Sequence, residues 1–466
     1  MKIKLQVIIE SDDGQMETIQ EVAHLERGCL QPAELGLTLV EAKTLLEGVQ
    51  RAMVDEQIAE YLAGQAACSH CGKKRLHKGA HAIVYRSLFG KLKLHSPRLF
   101  HCGCEPQLTR TFSPLTELLK ERTAPELFYL EAKFSALVSY GVTAKLLEEV
   151  LPVGHEINAA TTRNHALKIG ERMESALGDE QVLFIKGCER DWEKLPRPDL
   201  PLMVGIDGGY VHSSEQTSRT NSWFKVIVGK SITAEGSSKC FGFVNCHDLK
   251  PKRRLFELLK SQGMQMNQQV TFLSEGGDTV RELKLYLNPQ AEHLLDWFHI
   301  TMRLTVMKQF AKGLGAENCE ARVSALKELE SIKWYLWHGN VFEALEHIGY
   351  MEMEADGEII TGACAGKLRK ALDELHTYIE RNQAMIPNYG ERWRSGEAIS
   401  SAFVESAVNQ VISKRMVKKQ QMRWSKRGAH LLLQVRTKVL NEELRETFDR
   451  WYPNSHREAA RVEKAA

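Results

Sequence analysis

Three acidic residues have surroundings that suit metal-dependent chemistry. Asp207 lies inside the apolar, strand-like run 203–210, Asp278 follows a Ser-Glu-Gly-Gly turn, and Glu405 lies among small and apolar residues. A charge inside an apolar strand is costly unless a partner compensates it, and a metal ion does so directly. Two Asp and one Glu from separated stretches of chain supply the hard oxygen ligands that Mg²⁺ prefers. This set predicts a two-metal-ion site for phosphodiester chemistry.

Each carboxylate also has a structural interpretation. The backbone amides of the Gly-Gly turn could satisfy Asp207, Asp278 stands where a helix N-cap is expected, and Glu405 could simply face solvent. Glu275 is a competing choice for the second carboxylate. The joint order of the three, on a first strand, after a fourth strand and on a late helix, favours the metal site.

Four of the ten cysteines form two close pairs, Cys68 with Cys71 and Cys102 with Cys104. Four thiolates suit a structural, tetrahedral Zn²⁺ site without an open position for substrate. The second pair is tighter than the usual C-x-x-C, which leaves room for a histidine in place of one thiolate. The candidate replacements are His70, His77, His95 and His101. The scattered remaining cysteines suit a reducing cytoplasm, so we expect a cytoplasmic location.

Two regions have the composition of DNA-binding surfaces. The segment 414–427 contains seven Lys or Arg and no acidic residue, and the helical stretches 142–151 and 158–172 around a short turn are typical of a helix-turn-helix. A solvated basic face and a plain helical hairpin are the alternatives. The predicted DNA contacts are Arg163 and Lys168 in the helical pair, and Lys414, Arg415, Lys418, Lys419 and Arg423 in the basic segment.

The pattern of elements predicts a multidomain α+β protein. The catalytic part follows the order β-β-β-α-β-α-β, which is the order of a ribonuclease H-like α/β core with a mixed five-stranded sheet. The predicted domains are an N-terminal β-hairpin and helix (1–66), a zinc-ribbon (67–112), a helical, helix-turn-helix-like region (113–180), the first part of the core (200–313), an all-helical insertion (314–396), and the final core helix with Glu405 and a basic C-terminal region (397–466).

Several of these segments together resemble the Kra-type insertion-sequence transposases of bacteria, distant relatives of mutator-like transposases. The resemblance covers most of the chain. It is carried by the segments 205–209, 276–278, 296–299 and 403–425. The last segment, from Phe403-Val404-Glu405 through Lys414-Arg415-Met416 to Met422-Arg423-Trp424-Ser425, is the most specific.

The resemblance implies a DDE transposase with two Mg²⁺ or Mn²⁺ ions in each active site. Asp207 would contact both metals, Asp278 one and Glu405 the other. The Asp296-x-x-His299 pair resembles a signature of transposases that have a helical insertion before the glutamate. It implies a supporting catalytic role for His299 near the scissile phosphate or the flanking DNA, with helix capping or core packing as the alternative.

Such an enzyme would bind terminal inverted repeats and would cut and join double-stranded DNA, both the element ends and the target. Because two ends must be brought together, we expect at least a homodimer on DNA. The alternatives are a structure-specific ribonuclease H-like nuclease and a non-catalytic DNA-binding protein derived from a transposase. The sequence lacks a run of about eighteen apolar residues, so no membrane partner is expected.

Overall fold

The computed structural model contains two compact units, 1–169 with 442–466, and 170–441. It describes residues 1–10, 17–28, 31–32, 35–104, 110–153, 157–180, 190, 194, 202–215, 222–233, 235–265, 267–287, 291–314, 319–356, 363–417 and 422–453.

The first unit begins with the predicted β-hairpin. Strands β1 (Lys2–Glu10) and β2 (Glu17–Glu26) pair in antiparallel register, while the Asp-Asp-Gly turn lies outside the described residues. Helix α1 (Leu39–Gln65) starts at Thr38, whose side chain and that of Glu41 form a capping box that satisfies the first free N–H groups. The helix packs on β2 and leads to the cysteine pairs.

A three-stranded antiparallel sheet follows, and its first two strands form the hairpin that the sequence predicts between the cysteine pairs. Its order is β3-β4-β5, with β3 at His77–Ser87, β4 at Gly90–Phe100 and β5 at Thr111–Phe112. The hairpin between the two cysteine pairs is therefore confirmed, because β3 and β4 connect them. The buried side chains Ile83, Leu92 and Leu94 form a small core with α1.

Among the described residues, the helical region of the first unit contains four helices, and the last described helix also belongs to this unit. They are α2 (Pro114–Leu118), α3 (Pro125–Leu137), α4 (Tyr140–Val150) and α5 (Ala159–Ala176), in which the boundary between the two units lies. Residues 442–453 belong to this unit, where Arg445 donates to Glu126 at 2.7 Å. Within the predicted C-terminal region 397–466, the described residues up to 441 are assigned to the second unit and those from 442 to 453 to the first.

A five-stranded mixed sheet forms the centre of the second unit, as predicted. Strand β6 pairs with β7 and β7 with β8 in antiparallel register, whereas β6, β9 and β10 are parallel. The order across the sheet is β10-β9-β6-β7-β8. The strands are β6 (Leu202–His212), β7 (Trp223–Ile232), β8 (Ser238–Val244), β9 (Val270–Ser274) and β10 (Glu292–Leu295).

Helices cover both faces of this sheet. The even-numbered side chains at the start of β6 pack on helices α6 (Pro251–Ser261) and α7 (Asp278–Leu287). Because side chains alternate along a strand, the odd-numbered residues point to the opposite face. That face receives α13 (Ala402–Val408), the π-helix Asn409–Val417 and, beside β8, α14 (Lys426–Leu440). The final helix, α15 (Leu444–Trp451), belongs to the first unit.

Between β10 and α13, where an all-helical insertion is predicted over 314–396, the described residues form helices and no strand. Buried residues such as Leu304, Leu329, Ile348 and Leu372 form its core. Its helices are α8 (Trp297–Lys312), α9 (Cys319–Trp337), α10 (Val341–Asp356), α11 (Ala363–Asn382) with a 3₁₀ turn Gln383–Met385, and α12 (Tyr389–Arg394). Among helices of the described ranges, none combines the length and the apolar composition of a bilayer-spanning segment.

Candidate functional site

Asp207 lies on the sheet face that α13 and the π-helix cover. A Cβ atom on Gly205 would lie 2.0 Å from Cγ2 of Val404, and one on Gly209 would lie 2.9 Å from Cδ1 of Ile412. Asp207 stands between these glycines at the same parity, so its side chain points to this face. The two glycines therefore allow the helical layer to approach the strand directly on either side of the carboxylate.

The structure brings Glu275 and His299 to Asp207. One ligand atom from each of the three side chains lies within 4.8 Å of the others. Glu275 follows β9, and His299 lies in the first turn of α8, which follows β10. The carboxyl ends of neighbouring parallel strands thus deliver both side chains to one edge of the sheet. Two carboxylates and an imidazole form a donor set that could bind a divalent metal ion.

The electrostatics of Asp207 fit a bound cation. Burial raises the pKa of its carboxyl group, and the negative charge of Glu275 raises this pKa further. The backbone N–H of Gly208, which donates at 2.6 Å, and the charge of His299 act in the opposite direction. Two carboxylates at this separation repel each other unless a proton or a cation lies between them.

Asp296 organises the surroundings of His299. Its side chain is fully buried and accepts hydrogen bonds from the N–H of Phe298 at 2.9 Å, the N–H of Ser401 at 3.1 Å and the Ser401 hydroxyl. Oδ2 of Asp296 also lies 3.5 Å from Nε2 of His299. Since Ser401 precedes α13, one buried carboxylate connects the histidine turn to the helix that carries Glu405.

Asp278 and Glu405 lie outside the group formed by Asp207, Glu275 and His299. The Asp278 side chain is 92% exposed and lies 3.7 Å from a guanidinium nitrogen of Arg281. Glu405 is exposed in the first turn of α13, beside the Asp207 face of the sheet. Of the four predicted catalytic residues, Asp207 and His299 lie close together in the structure. The third member of their group is Glu275, the competing choice for the second carboxylate.

The insertion contributes polar residues whose role the sequence pattern did not indicate. The Arg303 guanidinium lies 4.2 Å from the centre of the Tyr378 ring. Burial raises the pKa of the Tyr378 hydroxyl, and the charge of Glu275 contributes to this rise. Asn382 accepts from Arg281 at 2.7 Å. Helical periodicity in the sequence shows only that these residues belong to helices. The sequence alone therefore does not place them near Asp207 and Glu275.

Asn382 also restrains the turn that carries Glu275. Gly276 has φ +86°, and a Cβ atom there would lie 2.2 Å from Oδ1 of Asn382. Positive φ and this close approach both favour glycine. The turn separates Glu275 from Asp278 and holds only the former against Asp207.

The four predicted cysteines converge in the first unit. Sγ of Cys68 lies 3.5 Å from Sγ of Cys104, and Sγ of Cys71 lies 3.4 Å from Sγ of Cys102. A tetrahedron with Zn–S bonds of about 2.3 Å has S–S edges of about 3.8 Å, so these separations suit a metal held by four thiolates. All four cysteines contribute, and none of the four candidate histidines joins the group among the described residues.

The first cysteine pair has the geometry of a metal knuckle. Gly72, directly after Cys71, has φ +68° and donates its N–H to the carbonyl of Cys68 at 2.9 Å. The N–H of Cys104 lowers the pKa of the Cys102 thiol to about 7, and hydrogen bonds that the Cys104 thiol donates to the other cysteine sulfurs, Cys102 first, raise the pKa of Cys104 to about 12. The opposite shifts follow from the close approach of the four sulfur atoms.

A third cluster with metal-ligand chemistry already contains a cation. Glu174, Asp248 and His430 lie within ligand distance of one another, but the buried guanidinium of Arg254 lies among them. It contacts Glu174 at 2.8 Å, Asp248 at 2.9 Å and the Gln434 side chain at 2.5 Å. Because Arg254 supplies the positive charge, we interpret this cluster as a structural ion-pair network.

The predicted DNA-contacting residues of the first unit are on the surface. Arg163 is exposed on α5, near the N-terminal end of the second helix of the pair. Lys168 is half-exposed, forms an ion pair with Glu121 at 3.0 Å and lies over the ring of Phe128. Arg163 is therefore accessible to a DNA phosphate. Lys168 would have to break its ion pair with Glu121 before it could bind one.

The basic segment is divided between surface and core. Lys414 and Arg423 are exposed, but Arg415 is 1% exposed and lies 5.1 Å from the centre of the Trp424 ring. A side chain so deeply buried does not reach a phosphate. The prediction that Arg415 contacts DNA is therefore corrected, because the side chain packs against Trp424 in the core. Lys418 and Lys419 lie outside the described residues.

A scan against models of protein families finds no match to this chain, and a search of curated proteins finds none either. The functional interpretation therefore depends on the donor atoms of Asp207, Glu275 and His299, on the helix that carries Glu405, and on the surfaces around them.

Proposed function

We propose that this protein is a metal-dependent DNA strand-transfer enzyme, a DDE-type transposase of a bacterial insertion sequence of the Kra type. The observation that carries the proposal is the convergence of Asp207, Glu275 and His299 at the carboxyl ends of parallel strands. Glu405 lies on the helix that packs on the same face of β6.

The topology of the second unit supports this proposal. A ribonuclease H-like core requires three antiparallel strands followed along the chain by two parallel ones. The second unit has this succession, with the spatial order β10-β9-β6-β7-β8. The all-helical insertion lies between the last strand and the glutamate helix. This is the arrangement that the resemblance implies for a transposase with an interrupted core.

The donor set supports metal-ion catalysis with a change in the second carboxylate. Asp207 and Glu275 would hold one divalent ion, and Glu405 would supply a further carboxylate to the metal site. Two Mg²⁺ or Mn²⁺ ions would activate the nucleophile and stabilise the leaving oxygen. Asp278 stays a prediction, because its exposed side chain would have to turn inward to reach the site.

The residues of the chain would bind and orient the DNA for two displacements. In the first, a water oxygen bonds to phosphorus, the P–O3′ bond breaks, and the 3′-oxygen leaves with a proton. In the second, the oxygen of this 3′-hydroxyl bonds to a target phosphorus, the target P–O3′ bond breaks, and the target 3′-oxygen leaves with the proton. His299, in the first turn of α8, would have a supporting role near the scissile phosphate.

The other features fit a DNA-binding enzyme. The four cysteines would hold a structural Zn²⁺ that stabilises the β3-β4-β5 sheet. Arg163, Lys414 and Arg423 would contact phosphates of element ends and target DNA, and two ends would require a homodimer or larger assembly. A chromosomal substrate would place the protein in the bacterial cytoplasm.

Strand cleavage and joining test the proposal. The substrate is a labelled duplex that contains the inverted repeat flanking the gene, with Mg²⁺ or Mn²⁺. We expect Asp207→Asn, Glu275→Gln and Glu405→Gln each to lower the cleavage rate at least about 100-fold while DNA binding is retained. Glu282→Gln, an exposed position on α7, is the matched control. Full activity of the Asp207 variant would overturn the proposal.

The same assay separates the remaining alternatives. If Asp278→Asn is inactive and Glu275→Gln is active, the second carboxylate is Asp278, and Glu275 is removed from the site. Cleavage without joined products would identify a structure-specific nuclease. Specific binding of the end without any cleavage would identify a non-catalytic DNA-binding protein.

A further inference from the structure

We infer that the metal ion held by Asp207 and Glu275 has a nitrogen ligand, Nδ1 of His299, and that Asp296 positions this imidazole, so that the site selects Mn²⁺ over Mg²⁺. The inference builds on the proposed metal site, but its test does not depend on DNA cleavage.

The two ring nitrogens of His299 face different partners. Nδ1 lies 3.4 Å from Oε1 of Glu275, on the side of the carboxylate pair. Nε2 is a buried atom that makes no hydrogen bond within the described part of the chain, and Oδ2 of Asp296 lies 3.5 Å from it. A proton on Nε2 is favoured by the adjacent buried carboxylate, which leaves the lone pair of Nδ1 directed toward the site. A hydrogen bond from Nε2–H to Oδ2 of Asp296, formed by a small closing of this distance, would give the carboxylate–histidine arrangement that orients metal-binding imidazoles.

Asp296 is held rigidly enough to act in this way. Its carboxylate is fully buried, and the N–H groups of Phe298 and Ser401 and the Ser401 hydroxyl fix its orientation from two chain segments. Its own N–H donates to the carbonyl of Ser274, the residue before Glu275. Asp296 therefore fixes the histidine turn relative to the end of β9 and the start of α13. It touches no reacting atom and is a positioning residue.

A nitrogen ligand changes which metal the site prefers. Mg²⁺ has a strong preference for oxygen ligands and keeps most of its water. Imidazole is a better ligand for first-row transition metals, so replacement of one oxygen donor by Nδ1 of His299 favours Mn²⁺. The composition Asp207, Glu275 and His299 thus differs in kind from a site made of three carboxylates.

The measurement is pulsed electron paramagnetic resonance of Mn²⁺ bound to the full-length protein without DNA. We expect a ¹⁴N coupling in wild type and in His338→Ala, an exposed histidine of the insertion, and no ¹⁴N coupling in His299→Ala. We expect Asp296→Asn to weaken Mn²⁺ binding about 10- to 100-fold, since loss of an outer-sphere partner has that effect, with a smaller change for Mg²⁺. Mg²⁺ should displace Mn²⁺ only in large excess.

Each outcome decides between the two proposals. Mn²⁺ that binds in an Asp207-dependent manner without ¹⁴N coupling overturns the nitrogen ligand and leaves the metal-dependent enzyme intact. A ¹⁴N coupling in a protein that does not cut or join DNA overturns the enzyme and leaves the ligand assignment. If Asp296→Asn does not fold, the comparison of wild type with His299→Ala still tests whether His299 is a ligand. The positioning role of Asp296 is then tested by Ser401→Ala, which removes one hydrogen-bond donor to Asp296 and should weaken the ¹⁴N signal.

Discussion

A Cβ atom on Gly205 would lie 2.0 Å from Cγ2 of Val404, so the helix that carries Glu405 packs directly on the bare backbone of strand β6. Asp207 is two residues further along the same strand face, and Glu405 is the next residue of the helix. This contact therefore sets the distance between the strand and the helix that together would supply two of the catalytic carboxylates.

We expect Gly205→Ala to lower the free energy of unfolding by about 1–3 kcal/mol, because the added methyl group has no space beside Val404. The same displacement of α13 should lower the rate of DNA cleavage. Urea denaturation measures the first effect. Gly349→Ala is the control, since its Cβ atom meets nothing within 4 Å on helix α10, and it should be neutral or stabilising by up to about 1 kcal/mol. Equal stability of the two variants would contradict this packing.

Removal of one thiolate should release the metal of the cysteine cluster. We expect purified wild type to contain one Zn²⁺ per chain and Cys71→Ser to retain much less, because the closed shell loses a ligand. The variant should also unfold at lower temperature. Elemental analysis and calorimetry measure these effects, with Cys319→Ser, an exposed thiol elsewhere, as the control. Stoichiometric zinc in Cys71→Ser would exclude that thiolate as a ligand.

His293 should make folding stability depend on mild acid. Burial and the charges of Lys284 and Arg281 lower the pKa of His293 from 6.5 to about 4. Between these values the unfolded chain binds the proton more readily than the folded one, so stability is present above pH 6.5 and is lost as the pH falls toward 4. The loss between pH 7 and pH 5 should be about 2 kcal/mol.

The variant His293→Gln should show a correspondingly smaller decrease over the same pH range, whereas His338→Gln, at an exposed position, should behave as wild type. Chemical denaturation at the two pH values gives the comparison. An unchanged decrease in His293→Gln would exclude this histidine as the source.

The neighbours Lys414 and Arg415 should respond in opposite ways to alanine substitution. Lys414 is exposed, so Lys414→Ala should lower the slope of log binding constant against log salt concentration by about one and leave stability unchanged. Arg415 is buried against Trp424, so Arg415→Ala should destabilise the fold and leave the salt slope unchanged. Titrations of duplex DNA at several salt concentrations test both. A reduced slope in Arg415→Ala alone would reverse the two roles.

Local sequence signals were sufficient for much of the architecture. The β-hairpin, the cysteine pairs and the order of the five core strands depend on alternation, on turn glycines and on ligand spacing, all of which act over a few residues. The helical insertion was also predictable from its periodicity. The same signals identified Asp207, because an acidic residue in an apolar strand is conspicuous in any context.

The choice among neighbouring polar residues was decided only by the tertiary structure. Glu275 and Asp278 are three residues apart in one turn, and the positive φ of Gly276 together with Asn382, more than a hundred residues later, directs Glu275 toward Asp207. Lys414 and Arg415 are adjacent in the sequence, yet on the π-helix the Arg415 side chain lies in the core and the Lys414 side chain is exposed to solvent. The sequence by itself determined which segments hold the candidate site. The tertiary structure decided which side chain of each segment lies in the group around Asp207, because that depends on contacts between residues far apart along the chain.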